Sequence, residues 1–179
     1  MFSSFEFCRW PMLLFASTLL ATIVGCANVS STNMVPESFD SSKHFDKSVQ
    51  VIVDTKRAND HFKNWVEDAE FKTAIEQSLL RAKLFKNVEP STADYQLRVT
   101  ITSVGNFWGL DAKVAVNTTW EVIDLRNQVP APLWRDTVNS EFTATISDSI
   151  GGAKRVKLAY EGALKDNIRK GISQLPKSL

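Results

Sequence analysis

Three consecutive stretches of the chain alternate apolar and polar residues, and they limit the possible folds more than any other feature. Tyr95, Leu97, Val99 and Ile101 alternate with Gln96, Arg98, Thr100 and Thr102. Val114, Val116, Thr118, Trp120 and Val122 oppose Lys113, Asn117, Thr119 and Glu121. Trp134, Val138, Phe142 and Ala144 oppose Arg135, Thr137, Asn139, Glu141 and Thr143. A period of two with one wet face is the pattern of half-buried antiparallel strands. The links between them are short, with Asn127, Pro130 and Pro132 as turn formers, so the three read as a meander. Upstream, Val49, Val51 and Val53 mark another strand over 48–54, and 84–88 is a candidate short edge strand.

The apolar face of such a sheet needs a cover, and two stretches carry the helical period. Over 68–83, Phe71, Ala74, Ile75, Ser78, Leu79 and Ala82 form one stripe, with Asp68 as the expected N-cap. Over 153–175, Val156, Ala159, Tyr160, Ala163, Leu164, Ile168, Ile172 and Leu175 form a second, ended by Pro176. Gly162 and Gly171 lie inside that helix, where each costs roughly 1 kcal/mol relative to Ala. They imply a close approach to the sheet, or room left beside it. The expected fold is α+β: a single antiparallel sheet of about four or five strands, two helices packed on one face, order β-α-(β)-β-β-β-α, over residues 48–179.

The N-terminus reads differently. Residues 12–25 carry no charge. The run suits a signal-peptide core and is short of the ~20 residues a membrane-spanning helix needs. It closes on Ile23-Val24-Gly25-Cys26. This pattern resembles the lipobox of bacterial lipoprotein signal peptides. The resemblance implies that 1–25 are a signal peptide removed by cleavage, and that the Cys26 thiol carries a diacylglycerol. It also implies acylation of the new amine. One acyl chain holds weakly and two or three hold stably, at about 0.8 kcal/mol per buried CH₂. Residue 27 is Ala, not Asp, which by the same resemblance favours the outer membrane, with the domain in the periplasm. Residues 27–47 show neither period and are rich in Ser, Asn and Asp, which predicts a flexible tether over 26–47. About 20 such residues span roughly 25 Å. Packing of Val35, Phe39 and Phe45 on the domain edge would shorten that reach.

Few residues could carry chemistry. A net charge of +1 excludes a strongly basic nucleic-acid footprint. Cys8 and Cys26 are the only cysteines, so the mature chain has no disulfide and no Cys-based metal site. His44 and His61 lack a spaced set of ligands, whereas zinc takes about three or four; no metal or cofactor is expected. Ser91, Ser103 and Ser149 lack a nucleophile-elbow setting. Gly151-Gly152-Ala153-Lys154-Arg155 precedes a helix, as anion-binding turns do, but lacks the Walker spacing. Lys154, Arg155, Lys157, Lys165, Arg169 and Lys170 read as a solvated helix face, with anionic headgroups or glycan as the alternative. The stretch 104–110 stands apart, with Phe107 and Trp108 between two glycines at an expected hairpin tip. Exposed, they form a partner-binding contact; folded back, they cover the end of the sheet.

The domain resembles a group of small uncharacterised bacterial outer-membrane lipoproteins. The likeness lies in Phe71-Lys72-Thr73-Ala74-Ile75-Glu76-Gln77-Ser78-Leu79, Leu84-Phe85, Asp94-Tyr95-Gln96-Leu97-Arg98-Val99 and Trp120-Glu121-Val122. It continues in Gly152-Ala153-Lys154-Arg155, Ala159-Tyr160-Glu161-Gly162-Ala163 and Asn167-Ile168. In architecture it is similar to envelope lipoproteins that assist transporters or cell-wall synthases. The resemblance implies fold and compartment; the missing acid, base and nucleophile sets and the aromatic turn point to a non-enzymatic module, anchored at Cys26, that binds another envelope component through Phe107 and Trp108 or the uncovered sheet face. The alternative is a small-ligand or lipid carrier with a cavity between sheet and helices.

Overall fold

The computed structural model describes residues 28–39, 43–89, 91–127, 129–176 and 179. The expected signal peptide and Cys26 lie outside the described residues. The elements in order are α1 (Ser31–Met34), β1 (Phe45–Asp54), α2 (Asp60–Trp65), α3 (Asp68–Arg81), β2 (Phe85–Val88), β3 (Tyr95–Trp108), β4 (Ala112–Asp124), β5 (Ala131–Ala144) and α4 (Gly152–Gln174). They form one five-stranded sheet in the order β2-β1-β3-β4-β5, and the class is α+β as the stripes require.

The pairing corrects one expectation: the sheet is mixed, not antiparallel. β3, β4 and β5 make the antiparallel meander, but β1 is parallel to both its neighbours, with Val49 opposite Tyr95 and Ser48 opposite Asn87. The cause is α3. It carries the chain back along the sheet, so the strands after it start from the same end as β1, as a crossover connection requires. Alternation in β1 misleads about direction because its outer face is wet whatever its pairing.

The helical stripes bury as expected. Phe71, Ala74, Ile75 and Leu79 of α3, and Ala159, Tyr160, Ala163, Leu164, Ile168 and Ile172 of α4, are at most 1% exposed. Asp68 is not the N-cap of α3. Glu67 holds that position without a side-chain cap, and Asp68 instead accepts a 2.6 Å hydrogen bond from the Thr55 hydroxyl. The interior glycines leave no empty space. At Gly171 a Cβ would fall inside the indole of Trp120, and at Gly162 inside the ring of Phe142. Each aromatic occupies the volume its glycine vacates, which removes the main support for a cavity there.

One polar cluster sits in this core. The Asn167 Oδ1 accepts from the Thr118 hydroxyl at 2.8 Å and from the Trp120 indole N–H at 3.3 Å. Its Nδ2 donates to the Ser140 hydroxyl at 3.1 Å, and Ser140 donates onward to the Val116 carbonyl. The group ties α4 to β4 and β5.

The tether is the second correction. Residues 28–39 lie on the domain instead of hanging from it. Val29, Met34 and Val35 are buried, at 2%, 0% and 4% exposure. The Val29 N–H donates to the Trp65 carbonyl, Ser31 N–H to Glu70 at 2.6 Å, and Ser30 N–H and the Asn33 amide to Glu161. Arg81 donates to the Pro36 carbonyl at the far end of α3. The segment is a strap seated against α3 and α4. Its three apolar side chains bury because the two helices leave a seam between them.

At the end of strands β3 and β4, Arg126 forms a bidentate pair with Asp124, at 2.9 and 2.7 Å, and lies 4.9 Å over the Tyr95 ring. The guanidinium lowers the Asp124 carboxyl from 3.8 to about 2. Backbone and hydroxyl donors lower Asp94, Asp148 and Glu70 as well. These carboxyls are held ionised in the folded state, so the unfolded chain binds more protons below about pH 4. Stability is therefore complete above that pH and falls as pH drops toward about 2. Thermal melts across this window are expected to show the decline, and Arg126→Gln to make it shallower. An equally steep acid limb in the variant would place the linkage elsewhere.

Candidate functional site

The aromatic pair belongs to a strand, not to a loop. β3 runs through Trp108, and Gly109, Leu110 and Asp111 make the turn, closed by Gly109 N–H on the Asp111 carbonyl at 3.0 Å. The register of β3 against β4 slips between Ile101 and Ser103. That bulge reverses which residues face the helices: Ile101 faces in, and after the slip Asn106 and Trp108 do. Trp108 packs on Tyr160 with ring centroids 6.1 Å apart and remains 38% exposed. Phe107 points to the opposite face beside Lys113 and Ala115 and is 65% exposed. Trp108 is thus folded back toward the domain, and Phe107 is left in water. Replacing Phe107 with Ser is expected to change stability by less than about 0.5 kcal/mol. Trp108→Ser is expected to cost about 1–3 kcal/mol, because half an indole and its ring contact are lost. Chemical denaturation of the two variants measures both.

Tyr160 is the centre on which this end is built. Phe62, Trp65 and Trp108 surround it at 5.9, 6.4 and 6.1 Å. Its hydroxyl faces the Asn106 amide, neither making a well-formed hydrogen bond, and burial raises its pKa. Next to it, Glu161 receives the strap. The short helix α2 lies past the end of β1, over the projecting part of β3, with Asn59 donating to the Val104 carbonyl at 3.0 Å.

The other sequence candidates are not brought together. His44 bonds to the Lys83 carbonyl at one end of α3, and His61 is exposed on α2 near the other. Among the described residues no three His, Cys, Asp or Glu side chains are placed to hold a metal ion. Arg155 spends its guanidinium on the carbonyls of Ser149 and Ile150, so it shapes the turn into α4. Lys157 pairs with Glu161, Lys165 with Glu37, and Arg169 and Lys170 with Asp166. These are mostly half-exposed pairs, each worth about 0–1 kcal/mol. An open depression of about 800 Å³ runs along one flank of α4, between the strap and the edge strand β5, lined by Pro36, Glu37, Phe142, Leu158 and Lys165 among others. It is an open surface groove, and Phe142 fills the space beside Gly162 at its floor.

No protein-family model matches the chain, and no curated protein sequence is similar to it. Solved structures do resemble it. Protein XCC0632 from Xanthomonas campestris, of the DUF330 family, superposes with a TM-score of 0.58 at 10% identity, over 77% of this chain and 87% of that one. The hypothetical protein CT253 from Chlamydia trachomatis gives 0.50 at 10% identity, over 70% and 95%. Lipoprotein GNA1162 from Neisseria meningitidis gives 0.39 at 16% identity, over 54% and 83%. At these identities the first two share the fold alone, and the third is too loose to carry an argument. No described helix is long and apolar enough to cross a membrane.

Proposed function

We propose that this chain is a bacterial envelope lipoprotein, anchored by acyl chains on Cys26, that works by binding and not by catalysis. It docks against another envelope component. The observation that carries the reading is the exposed apolar end of the β3–β4 hairpin, where Phe107 and Leu110 are 65% and 78% exposed. Large side chains left in water at one end of a well-packed domain mark a contact surface. The open sheet face, with Gln50, Gln96, Thr100, Thr119, Thr137 and Asn139, is polar and suits a wetter, weaker contact.

Two measurements test the reading. Cys26→Ser is expected to block acylation, seen by mass, and to release the chain from the membrane fraction. Photocrosslinking amino acids at Phe107 and at Thr119 in growing cells are expected to give at least one discrete adduct, identified by mass spectrometry as protein or lipid. An unacylated wild-type chain overturns the anchor, and the absence of adducts from both positions overturns the docking role.

A further inference from the structure

The strap fixes where the anchor meets the domain, and this names what the hairpin end touches. Asn28 is the first described residue and bonds to Glu67, and Val29 is already buried against the Trp65 backbone. Cys26 is two residues before Asn28. Consecutive Cα atoms are ~3.8 Å apart, so the lipidated residue cannot lie more than about 8 Å from the Asn28 Cα. Residues 28–39 of the expected tether lie along the domain surface, so at most two residues separate Cys26 from the packed strap.

The point where the anchor joins is also the apolar end of the molecule. Trp65, at the anchor, and Trp108, near the hairpin tip, both pack on Tyr160. β1 ends where Asp54 pairs with Thr100, while β3 continues to Trp108 with β4 and β5 alongside, so the meander extends past β1 at this end. Ala144 pairs with Ala112, next to the turn, so the link from β5 to α4 emerges there too. That link carries Ile146 and Ile150, 46% and 90% exposed. The exposed apolar side chains Phe107, Leu110, Ile146 and Ile150 thus gather at the end held closest to the lipid. Charges at this end are of both signs, with Lys56, Arg57, Lys63 and Lys154 against Asp60, Asp111 and Asp148. That favours apolar insertion over attraction to anionic headgroups.

We infer that the β3–β4 turn and the β5–α4 link are a membrane-seating surface, inserted into the leaflet that holds the Cys26 acyl chains. The occupant of this end is the bilayer itself, and the open sheet face is left for any protein partner. The inference rests on the anchor at Cys26, and the experiment separates the two. The full acylated chain, carrying Leu110→Cys, Ile150→Cys or Thr119→Cys labelled with an environment-sensitive fluorophore, is reconstituted into phosphatidylethanolamine–phosphatidylglycerol vesicles containing spin-labelled lipid. Probes at 110 and 150 are expected to be quenched roughly threefold more than the probe at 119, which corresponds to insertion of roughly 5–10 Å. The difference is expected to survive 0.5 M salt, roughly three times physiological ionic strength. Equal quenching at all three sites in a chain whose mass shows acylation overturns the inference and leaves the anchor standing. An unacylated mass overturns both. A protein adduct from a photocrosslinker at Leu110 overturns the lipid as occupant while supporting the docking role.

Discussion

Asn167→Ala is expected to lower the unfolding free energy by about 3–4 kcal/mol, or about 10 °C in melting temperature. The side chain is fully buried and makes hydrogen bonds with Thr118, Trp120 and Ser140. Its removal leaves two hydroxyl groups and an indole N–H with fewer partners in the buried core, at about 1–3 kcal/mol for each group left unpaired. Thr118 keeps a 3.5 Å approach to the Val138 carbonyl, Ser140 keeps the Val116 carbonyl, and the Trp120 N–H keeps the Thr118 hydroxyl at 3.0 Å, so the full sum is not reached. The loss of packing volume adds to the cost. Asn167→Leu combined with Thr118→Val replaces part of the cluster by apolar groups, and its cost is expected to be less than the sum of the two single changes. A coupling energy of about 1 kcal/mol or more from chemical denaturation would establish the cluster as one unit. Strict additivity would reduce Asn167 to an isolated packing residue.

Asn167 also marks the boundary of what the sequence reveals. It lies on the apolar stripe of α4, four residues after Ala163 and three after Leu164, as Gly171 does one turn later. The period of 3.6 puts both on the buried face, but it does not say that one binds four partners and the other receives an indole. Those partners come from strands 27 to 49 residues away. The helices, the meander and the class follow from local periodicity, because burial of one face is a local demand. Strand direction does not: β1 would alternate in either pairing, and only the return path of α3 makes it parallel. The slip at Ile101–Ser103 has no signal in the alternation before it, so the division of labour between Phe107 and Trp108 emerges only in the fold. The strap is only partly legible: Val35, Phe39 and Phe45 do pack on the domain, but its full extent is hidden by composition. Val29, Met34 and Val35 are too few and too irregular to make a period, and the seam they fill exists only once α3 and α4 are packed.

Met34→Ala is expected to have the second large effect, about 2–5 kcal/mol, because Met34 is fully buried between helices that cannot close over its volume. Thr32→Ala, on the exposed side of the same turn, is expected to stay within about 0.5 kcal/mol. The two differ in more than magnitude. α1 is four residues long, so the strap has little structure of its own and depends on contacts with α3, α4 and Trp65. Segments of that kind open locally before the whole domain does. Weakening Met34 is thus expected to speed proteolysis within 28–39 at temperatures where the sheet is intact. A released strap would restore a flexible leash of about 25 Å between Cys26 and β1. In vesicles, the probe at Leu110 should then lose its quenching while the chain remains membrane-bound. A loss below about 1 kcal/mol, with unchanged cutting and unchanged quenching, would mean that the strap does not seat the domain. In that case some other contact must hold the hairpin end against the lipid.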